Sequence, residues 1–302
     1  MSVLITGATG FVGRRLCDVL AAAGHELVAL SRDPEAAKSK VPQLAAAHAW
    51  DPLAAPAPKA AFAGVDAVVH LAGESVAGRW TERKMQAIRD TRELGTRHLV
   101  DSIAAADSRP QVLVSASAIG FYGDRSDEEL TEESGPGNDF LSEVCQAWEQ
   151  EAKRVDDLEA RLVTLRIGVV IGAGGGALEA MLPPFKMGVG GPMGSGRQWW
   201  SWVHRDDLVA MIQRALSDSS LAGVYNATAP EPMSQKKFGK VLGKVLRRPA
   251  FLPTPAFALR LVLGGFSSEL LSSKRVLPAR LQEAGFEFRY AELEAALREA
   301  LS

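Results

Sequence analysis

Three glycines near the start of the chain are spaced for binding the phosphates of a nucleotide. Gly7, Gly10 and Gly13 follow the apolar run Val3-Leu4-Ile5 and lead into a segment whose apolar residues recur with helical spacing. This order of strand, glycine-rich turn and helix is the context that a dinucleotide fingerprint requires. The helix N-terminus would face the phosphates with its partial positive charge. The residues predicted to contact a cofactor here are Gly7, Thr9, Gly10, Phe11, Val12 and Gly13.

The end of the second predicted strand indicates which dinucleotide is bound. The strand covers about residues 25–32 and ends in Ser31-Arg32, where NAD-binding proteins carry an acidic residue that holds the ribose 2′-hydroxyl. A hydroxyl and a guanidinium suit a 2′-phosphate, because arginine can bind phosphate oxygens through two parallel hydrogen bonds. We therefore predict NADP(H) in preference to NAD(H). The alternative is that Arg32 is a solvated loop residue.

Two further strand ends carry small and polar residues that suit the rest of the cofactor. The predicted strand from Val65 ends in Leu71-Ala72-Gly73, and the strand from Val112 leads to Tyr122-Gly123. Ligands of open α/β sheets bind at the carboxyl ends of the strands. Within the first of these runs, His70 is interpreted as a packed core residue. The predicted cofactor contacts are Leu71, Ala72, Gly73 and Ser115, and the candidate catalytic residues are Ser117 and Tyr122.

Arg166 interrupts the apolar run Leu162–Gly172, which is predicted to be a buried strand. A charge in such a run should be paired or should contact a ligand, because an isolated buried charge is costly. We place Arg166 among the predicted cofactor-binding residues.

Two clusters of basic and aromatic residues are candidate substrate contacts. The first lies at the start of a helix predicted to be capped by Thr81 and to end near Ala105. Its basic residues either recognise an anionic substrate or form a solvated helix start. The second is the stretch Gly196–Asp207, whose tryptophans could also belong to the core. We interpret His204 as a structural hydrogen-bonding residue rather than a proton donor. The predicted substrate-binding residues are Glu74, Arg79, Trp80, Arg197, Trp200 and His204.

Alternating predicted strands and helices indicate an α/β fold, a Rossmann-type doubly wound parallel sheet with a smaller, mostly C-terminal substrate domain. We place the NADP(H)-binding domain at residues 1–170. The substrate domain is placed mainly at 171–302, with residues 199–228 partly returning to the first domain. Near the end of the chain, Gly285–Tyr290 is predicted to form a strand before a last amphipathic helix.

The composition is that of an ordinary soluble protein and argues against several classes. The chain has 302 residues, of which 47% are hydrophobic and 23% charged, and its formal net charge is -2. A general nucleic-acid binder would usually be basic, and no apolar run is long enough to span a bilayer. Cys17 and Cys145 have no metal-site spacing, so no metal is expected. With no signal peptide expected before Val3, these features favour a cytoplasmic location.

Several motifs resemble the extended short-chain dehydrogenase/reductase family, which includes nucleotide-sugar epimerases and dehydratases. They are Thr6-Gly-x-x-Gly-x-x-Gly13, His70-Leu-Ala72 and Ser115-x-Ser117…Tyr122-Gly123. Others resemble an atypical subfamily named as NAD(P)-dependent nucleoside-diphosphate-sugar epimerases, some members of which are called cell-division inhibitors. These are Arg79-Trp80-Thr81, Phe121-Tyr122-Gly123, Cys145-x-x-Trp148-Glu149 and Trp202-x-His204. The resemblance covers essentially the whole chain and implies that the Trp-x-His segment helps to shape a substrate pocket.

The chain departs from this family at the catalytic pair. Family members use a Ser or Thr and then Tyr-x-x-x-Lys on the following helix, where Tyr is the acid or base and Lys lowers its pKa and holds the ribose. Ser117 matches the family's Ser. Aligning Glu149 with the Glu that often follows the family's Lys puts Leu141 at the Tyr position and Cys145 at the Lys position. Leucine cannot transfer a proton, and a thiol is not a permanent cation. The candidate substitutes are Tyr122, Asp124, Glu143 and Cys145.

Two classes of function fit these residues. In the first, the chain is an enzyme that performs redox chemistry or epimerisation on a small or nucleotide-linked substrate, with Ser117 polarising a carbonyl or hydroxyl. In the second, it is a sensor or scaffold that binds NADP(H) and a protein partner without turnover. The missing Tyr and Lys favour the second class, and the tryptophan-rich stretch favours the first. The oligomeric state stays open, although the resemblance implies the homodimer that this superfamily often forms through paired helices.

Overall fold

The structure is a computed structural model that describes residues 1–302, and most of its strands belong to one large sheet. The strands are β1 (Ser2–Thr6), β2 (Glu26–Ser31), β3 (Ala46–Ala49), β4 (Ala67–His70), β5 (Val112–Ala118), β6 (Glu129–Leu130), β7 (Arg161–Ile167), β8 (Val169–Ile171), β9 (Trp199–Trp200), β10 (Trp202–His204), β11 (Gly223–Ala227), β12 (Met233–Ser234) and β13 (Arg275–Val276).

Eleven α-helices cover the sheet and build the C-terminal part. They are α1 (Phe11–Ala22), α2 (Pro34–Lys40), α3 (Glu82–Ala105), α4 (Phe140–Lys153), α5 (Gly176–Lys186), α6 (Arg205–Ser217), α7 (Gln235–Leu246), α8 (Ala256–Leu263), α9 (Phe266–Leu271), α10 (Ala279–Glu283) and α11 (Leu293–Ala300). No helix combines the length and the apolar character needed to cross a membrane.

The large sheet has seven parallel strands in the order β11-β7-β5-β4-β1-β2-β3. The chain builds outward from β1 in both directions, so the order reverses between β1 and β4. In open α/β sheets this switch point is where ligands bind, at the carboxyl ends of the strands. The predicted Rossmann-type fold is confirmed.

Two apolar cores sandwich this sheet. One contains Leu16 and Leu20 of α1 with Leu208 and Ile212 of α6, and the other contains Leu99 of α3. The strand residues alternate between the two cores, as in β1, where Val3 and Ile5 face one core and Leu4 faces the other. Burial on both faces explains why these strands read as continuous apolar runs.

A third core lies in the C-terminal part and contains the buried tryptophans. Trp200 packs edge-to-face on Phe238 of α7 with ring centroids 5.4 Å apart, and Trp202 is fully buried nearby. The same core takes in Leu293 and Leu297 of α11. The chain is not divided cleanly by sequence, because β11 pairs with β7 in the large sheet and Leu281 of α10 belongs to the first core.

The strand predicted at Gly285–Tyr290 is wrong. The segment is irregular and pairs with no strand. Its alternating aromatics, Phe286 and Phe288, pack edge-to-face and cover the first core. The backbone N–H groups of Arg289 and Tyr290 instead donate to the two carboxylate oxygens of Asp207 in α6, each at 2.9 Å.

Candidate functional site

The turn between β1 and α1 is shaped by glycines that no other residue could replace without strain. Gly7 has a φ of +73°, and a Cβ there would lie 2.9 Å from the carbonyl carbon of Leu71. A Cβ on Gly13 would lie 2.1 Å from the carbonyl oxygen of Gly7. The helix N-cap, Gly10, provides no side-chain hydrogen bond. The N–H groups of the first helical turn therefore lack a side-chain partner, which fits a bound pyrophosphate.

A cavity of about 320 Å³ opens in front of this turn, at the carboxyl ends of β1, β2 and β4. It brings together nine of the predicted site residues: Gly7, Thr9, Gly10, Ser31, Arg32, Leu71, Ala72, Gly73 and Glu74. Sequence reasoning missed the wall formed by Trp50, Asp51, Pro52 and Leu53. That wall follows β3 in a stretch rich in Ala and Pro, where no motif marks it.

Arg32 is free to bind a ligand at the edge of this cavity. Its side chain is exposed and makes no hydrogen bond or ion pair within the protein. The neighbouring acid, Asp33, is occupied as the N-cap of α2, where its carboxylate accepts from the N–H of Ala36 at 2.9 Å. The hydroxyl of Ser31 bonds to the backbone of Asp33, which fixes the turn. No carboxylate therefore competes with a phosphate for this guanidinium.

A buried pair of hydrogen bonds holds the second wall of the cavity. His70 is fully buried and joins Thr6, at 2.7 Å, to Thr96 of α3, at 3.0 Å. The hydroxyl of Thr6 in turn accepts from the N–H groups of Leu71 and Ala72. Burial lowers the pKa of His70 to about 4, and Arg92 adds to the shift, so the imidazole is neutral at pH 7. His70 is thus a core residue that positions the cavity wall.

The candidate catalytic hydroxyls lie in a buried network beside β5. Ser117 donates to Glu149 Oε1 at 2.6 Å, and Arg166 binds both oxygens of the Glu149 carboxylate at 2.8 Å. Arg166 also donates to the hydroxyl of Tyr122 at 3.0 Å, and that hydroxyl donates to Asn226 Oδ1 at 2.7 Å. Sequence reasoning missed Glu149 as a member of this network, and it missed Asn226 entirely.

Each polar side chain in this network has a hydrogen-bond partner within the protein. Burial raises the pKa of Tyr122, although Arg166 opposes the shift, so the phenol stays protonated at neutral pH. Burial alone would lower the pKa of Arg166, but the bidentate bond to Glu149 raises it overall. The expectation that the charge of Arg166 is paired is met by Glu149 within the protein. Ser115 is fully buried on the same strand and bonds only to the carbonyl of Ala116.

The two positions that the family resemblance assigns to Tyr and Lys are apolar in character here. Leu141 and Cys145 lie on α4 and are 8% and 3% exposed. Burial raises the pKa of the Cys145 thiol to about 12, Glu149 adds to the shift, and Arg92 opposes it. The thiol is therefore protonated at pH 7 and is a poor nucleophile. A chemical role for Cys145 stays a prediction that this environment does not favour.

The three predicted substrate residues of the first cluster have different contacts. Glu74 lines the cavity and is paired with Lys84. Arg79 reaches the carbonyl of Leu261 in α8 at 3.3 Å. Trp80 packs on Phe140 and Phe266, with ring centroids 5.3 Å and 5.8 Å away. The loop before α3 is thereby joined to the C-terminal helices.

The predicted substrate residues of the second cluster lie away from the cavity. Trp200 belongs to the third core, and Arg197 is exposed on a loop. His204 is fully buried, with its Nε2 2.8 Å from Glu299 and its Nδ1 accepting from the N–H of Asp206. Both ring nitrogens are therefore hydrogen-bonded, one to the start of α6 and the other to α11. None of these three residues lines the cavity.

Comparison with known proteins matches this chain over nearly its whole length. The NAD dependent epimerase/dehydratase family matches residues 3–227, and a domain of unknown function, DUF1731, matches residues 254–300. The Arabidopsis thaliana protein called Epimerase family protein SDR39U1 homolog, chloroplastic, is 43% identical over 99% of this chain and 86% of its own. Epimerase family protein YfhF of Bacillus subtilis is 37% identical over 100% of this chain and 98% of its own.

A solved structure agrees with both the fold and the family. The crystal structure of human epimerase family protein SDR39U1 (isoform 2) with NADPH superposes with a TM-score of 0.89 at 35% identity, and 99% of each chain is covered. The family resemblance stated from the motifs is thereby confirmed. The chain belongs to the NAD dependent epimerase/dehydratase family of extended short-chain dehydrogenases/reductases, and it carries the DUF1731 region at its C-terminus.

Proposed function

We propose that this protein binds NADP(H), in preference to NAD(H), in the cavity beside the glycine-rich turn. The observation that carries the proposal is the unpaired guanidinium of Arg32 at the end of β2, where the adjacent Asp33 is committed to capping α2. The human relative solved with NADPH supports the same choice. A guanidinium without an internal partner is the group that recognises a 2′-phosphate.

Bound NADP(H) supplies a hydride donor or acceptor, and the chain's own residues supply binding and orientation. The uncapped start of α1 would hold the pyrophosphate, and Leu71 to Gly73 would let the cofactor pass closely. We propose that the protein acts in this way as an epimerase/dehydratase- or reductase-like enzyme on a small or nucleotide-linked substrate. Ser117 is the proposed group that polarises a carbonyl or hydroxyl, and it must turn away from Glu149 to do so.

A second candidate function is a sensor or scaffold that binds NADP(H) without turnover. It is favoured by the chain's lack of the Tyr-x-x-x-Lys pair and by the network that engages Ser117, Tyr122 and Arg166 internally. Incubation of the NADPH complex with a broad carbonyl panel separates the two functions. Oxidation of NADPH that is lost in Ser117→Ala supports the enzyme, and stable NADPH across the panel supports the sensor.

The test of cofactor preference is calorimetric titration of NADPH and NADH into the wild type and Arg32→Ala. Loss of a charged hydrogen bond to phosphate costs about 1.5–3 kcal/mol, so we expect Arg32→Ala to weaken NADPH binding by about 10- to 100-fold and to leave NADH binding nearly unchanged. The matched control is Arg260→Ala on α8, which removes another exposed arginine that has no side-chain partner. Equal affinity of the wild type for both nucleotides would overturn the proposed preference.

A further inference from the structure

One arginine beside the cavity has not been assigned a role by the motifs. Arg92 lies on α3, and its guanidinium stacks 5.0 Å from the ring centroid of Trp148 on α4. A Cβ on Gly73, which lines the cavity, would be 3.3 Å from the guanidinium carbon and 3.4 Å from both Nη atoms. Arg92 therefore lies against the cavity wall on the side of α4, where the family places its catalytic helix.

The guanidinium of Arg92 is only partly used by the protein. Its Nη1 donates to the carbonyls of Glu74, at 2.9 Å, and Ile88, at 3.1 Å. Its Nε and Nη2 donate to no protein atom, and they are not sealed off from solvent. The indole Nε1 of Trp148 is buried without an acceptor as well. Hydrogen-bond donors thus outnumber acceptors around Arg92 and Trp148.

Arg92 also lacks a counter-charge, unlike the partly buried Lys84 and Arg89 of the same helix. Lys84 is paired with Glu74, and Arg89 is paired with Glu143 at 3.0 Å, whereas no carboxylate lies within 4.0 Å of Arg92. Burial lowers the pKa of Arg92, and Cys145 and Glu74 oppose this shift only in part. A partly buried cation with free donors favours an anionic ligand, because the ligand provides both acceptors and counter-charge.

Arg92 packs on α4, the helix that also carries Cys145. Arg92 lowers and Glu269 of α9 raises the pKa of the Cys145 thiol. Glu269 is already paired with Lys274 at 2.9 Å. Where the family resemblance expects a cation on α4, this chain presents its uncompensated cation from α3.

We propose that Arg92 binds a carboxylate group of the substrate through its free Nε and Nη2, beside Gly73. The two donors lie on one edge of the planar guanidinium and match the two oxygens of a carboxylate. The inference rests on the proposed function, since it assigns a substrate class, small carboxylic acids or acid-bearing sugars, to the same site. A phosphate group of the cofactor offers the same chemistry, and the test separates the two sources.

The experiment follows the arginine Nε–Hε resonances of ¹⁵N-labelled protein by NMR, with and without saturating NADPH. Arg92→Lys, which keeps the charge, identifies the resonance by its loss. Trp148→Phe identifies it independently, by changing the ring current at Arg92. The probes are sodium acetate and its neutral analogue acetamide, with sodium chloride matching ionic strength. We expect acetate to shift the Arg92 resonance saturably in both states of the protein, and acetamide and chloride to leave it unchanged.

Two outcomes would overturn the carboxylate site. One is an Arg92 resonance that acetate does not move, or that acetamide moves equally. The other is an Arg92→Gln variant that melts as the wild type does but binds NADPH about tenfold or more weakly, a loss of about 1.4 kcal/mol, because the cation would then serve the cofactor. Failure of the wild type to bind NADPH overturns the proposed function instead, and the acetate titration of the free protein still decides the role of Arg92.

Discussion

The glycine-rich turn and the buried network beside β5, named here the phosphate end and the reaction end, are built by different means. The phosphate end uses backbone: glycines at Gly7 and Gly13 leave room for the chain itself, and the start of α1 has no side-chain cap. The reaction end uses side chains, with Ser117, Glu149 and Arg166 brought from β5, α4 and β7 into one buried network. The first end is open to a ligand, and the second is already satisfied within the protein.

This difference predicts how each of the two regions responds to substitution. A phosphate-binding turn made of backbone groups depends on a few glycines and not on the other side chains of the turn. A reaction centre made of side chains depends on several residues at once, and here Ser117, Tyr122 and Arg166 are all hydrogen-bonded within the protein. Substitutions at the reaction end should therefore lower mainly folding stability, whereas those at the phosphate end should also lower cofactor affinity.

The largest effect on stability is expected from Glu149→Ala. Removing this carboxylate leaves Arg166, whose side chain is 6% exposed, without its partner, and breaking a buried ion pair costs about 3–5 kcal/mol. Chemical denaturation should show that loss in the free energy of unfolding. The control is Glu143→Ala on the same helix, whose surface pair with Arg89 contributes at most about 1 kcal/mol. Equal losses for the two variants would contradict the contrast between the ends.

At the phosphate end, Gly13→Ala is expected to lower cofactor affinity as well as stability. The added methyl would press on the carbonyl of Gly7, and such overpacking typically costs about 1–3 kcal/mol of stability. The distorted turn should also weaken NADPH binding by about tenfold or more, measured by calorimetry. Gly135→Ala is the matched control, because its Cβ would enter open space and its φ is not positive. A Gly13→Ala protein with wild-type NADPH affinity would show that the turn does not hold the phosphates.

The smallest effect is expected from Cys145. Because burial raises the pKa of this thiol to about 12, thiolate is scarce in the folded protein near neutral pH. In a Cys17→Ala background, iodoacetamide should label Cys145 slowly in the native state, with no plateau between pH 7 and 9. Labelling should be rapid after unfolding. A native labelling curve that levels off below pH 9 would reveal a lowered pKa, and with it a reactive thiol.

The sequence predicts those parts of the fold that depend on neighbours along the chain. The glycine-rich turn follows directly after β1, and Thr81 caps α3 by accepting from the N–H of Lys84 as expected. The partners of the reaction end could not be found in this way. Tyr122 and Asn226 are 104 positions apart, and only the order of the strands brings them together. The strand predicted at Gly285–Tyr290 is wrong for the same reason. Alternation of apolar residues indicates an amphipathic segment, but it does not show whether that segment pairs with another strand.

The bonds from Arg289 and Tyr290 to Asp207 join two parts of the chain that different families match. Two sequence families meet in it, one ending at residue 227 and the other beginning at residue 254. The carboxylate of Asp207 is 2% exposed, and its two N–H donors belong to the second family's segment. Exchanging the C-terminal segment for an unrelated one would leave the buried carboxylate of Asp207 without these hydrogen bonds. The two parts of the chain are therefore expected to fold as one unit.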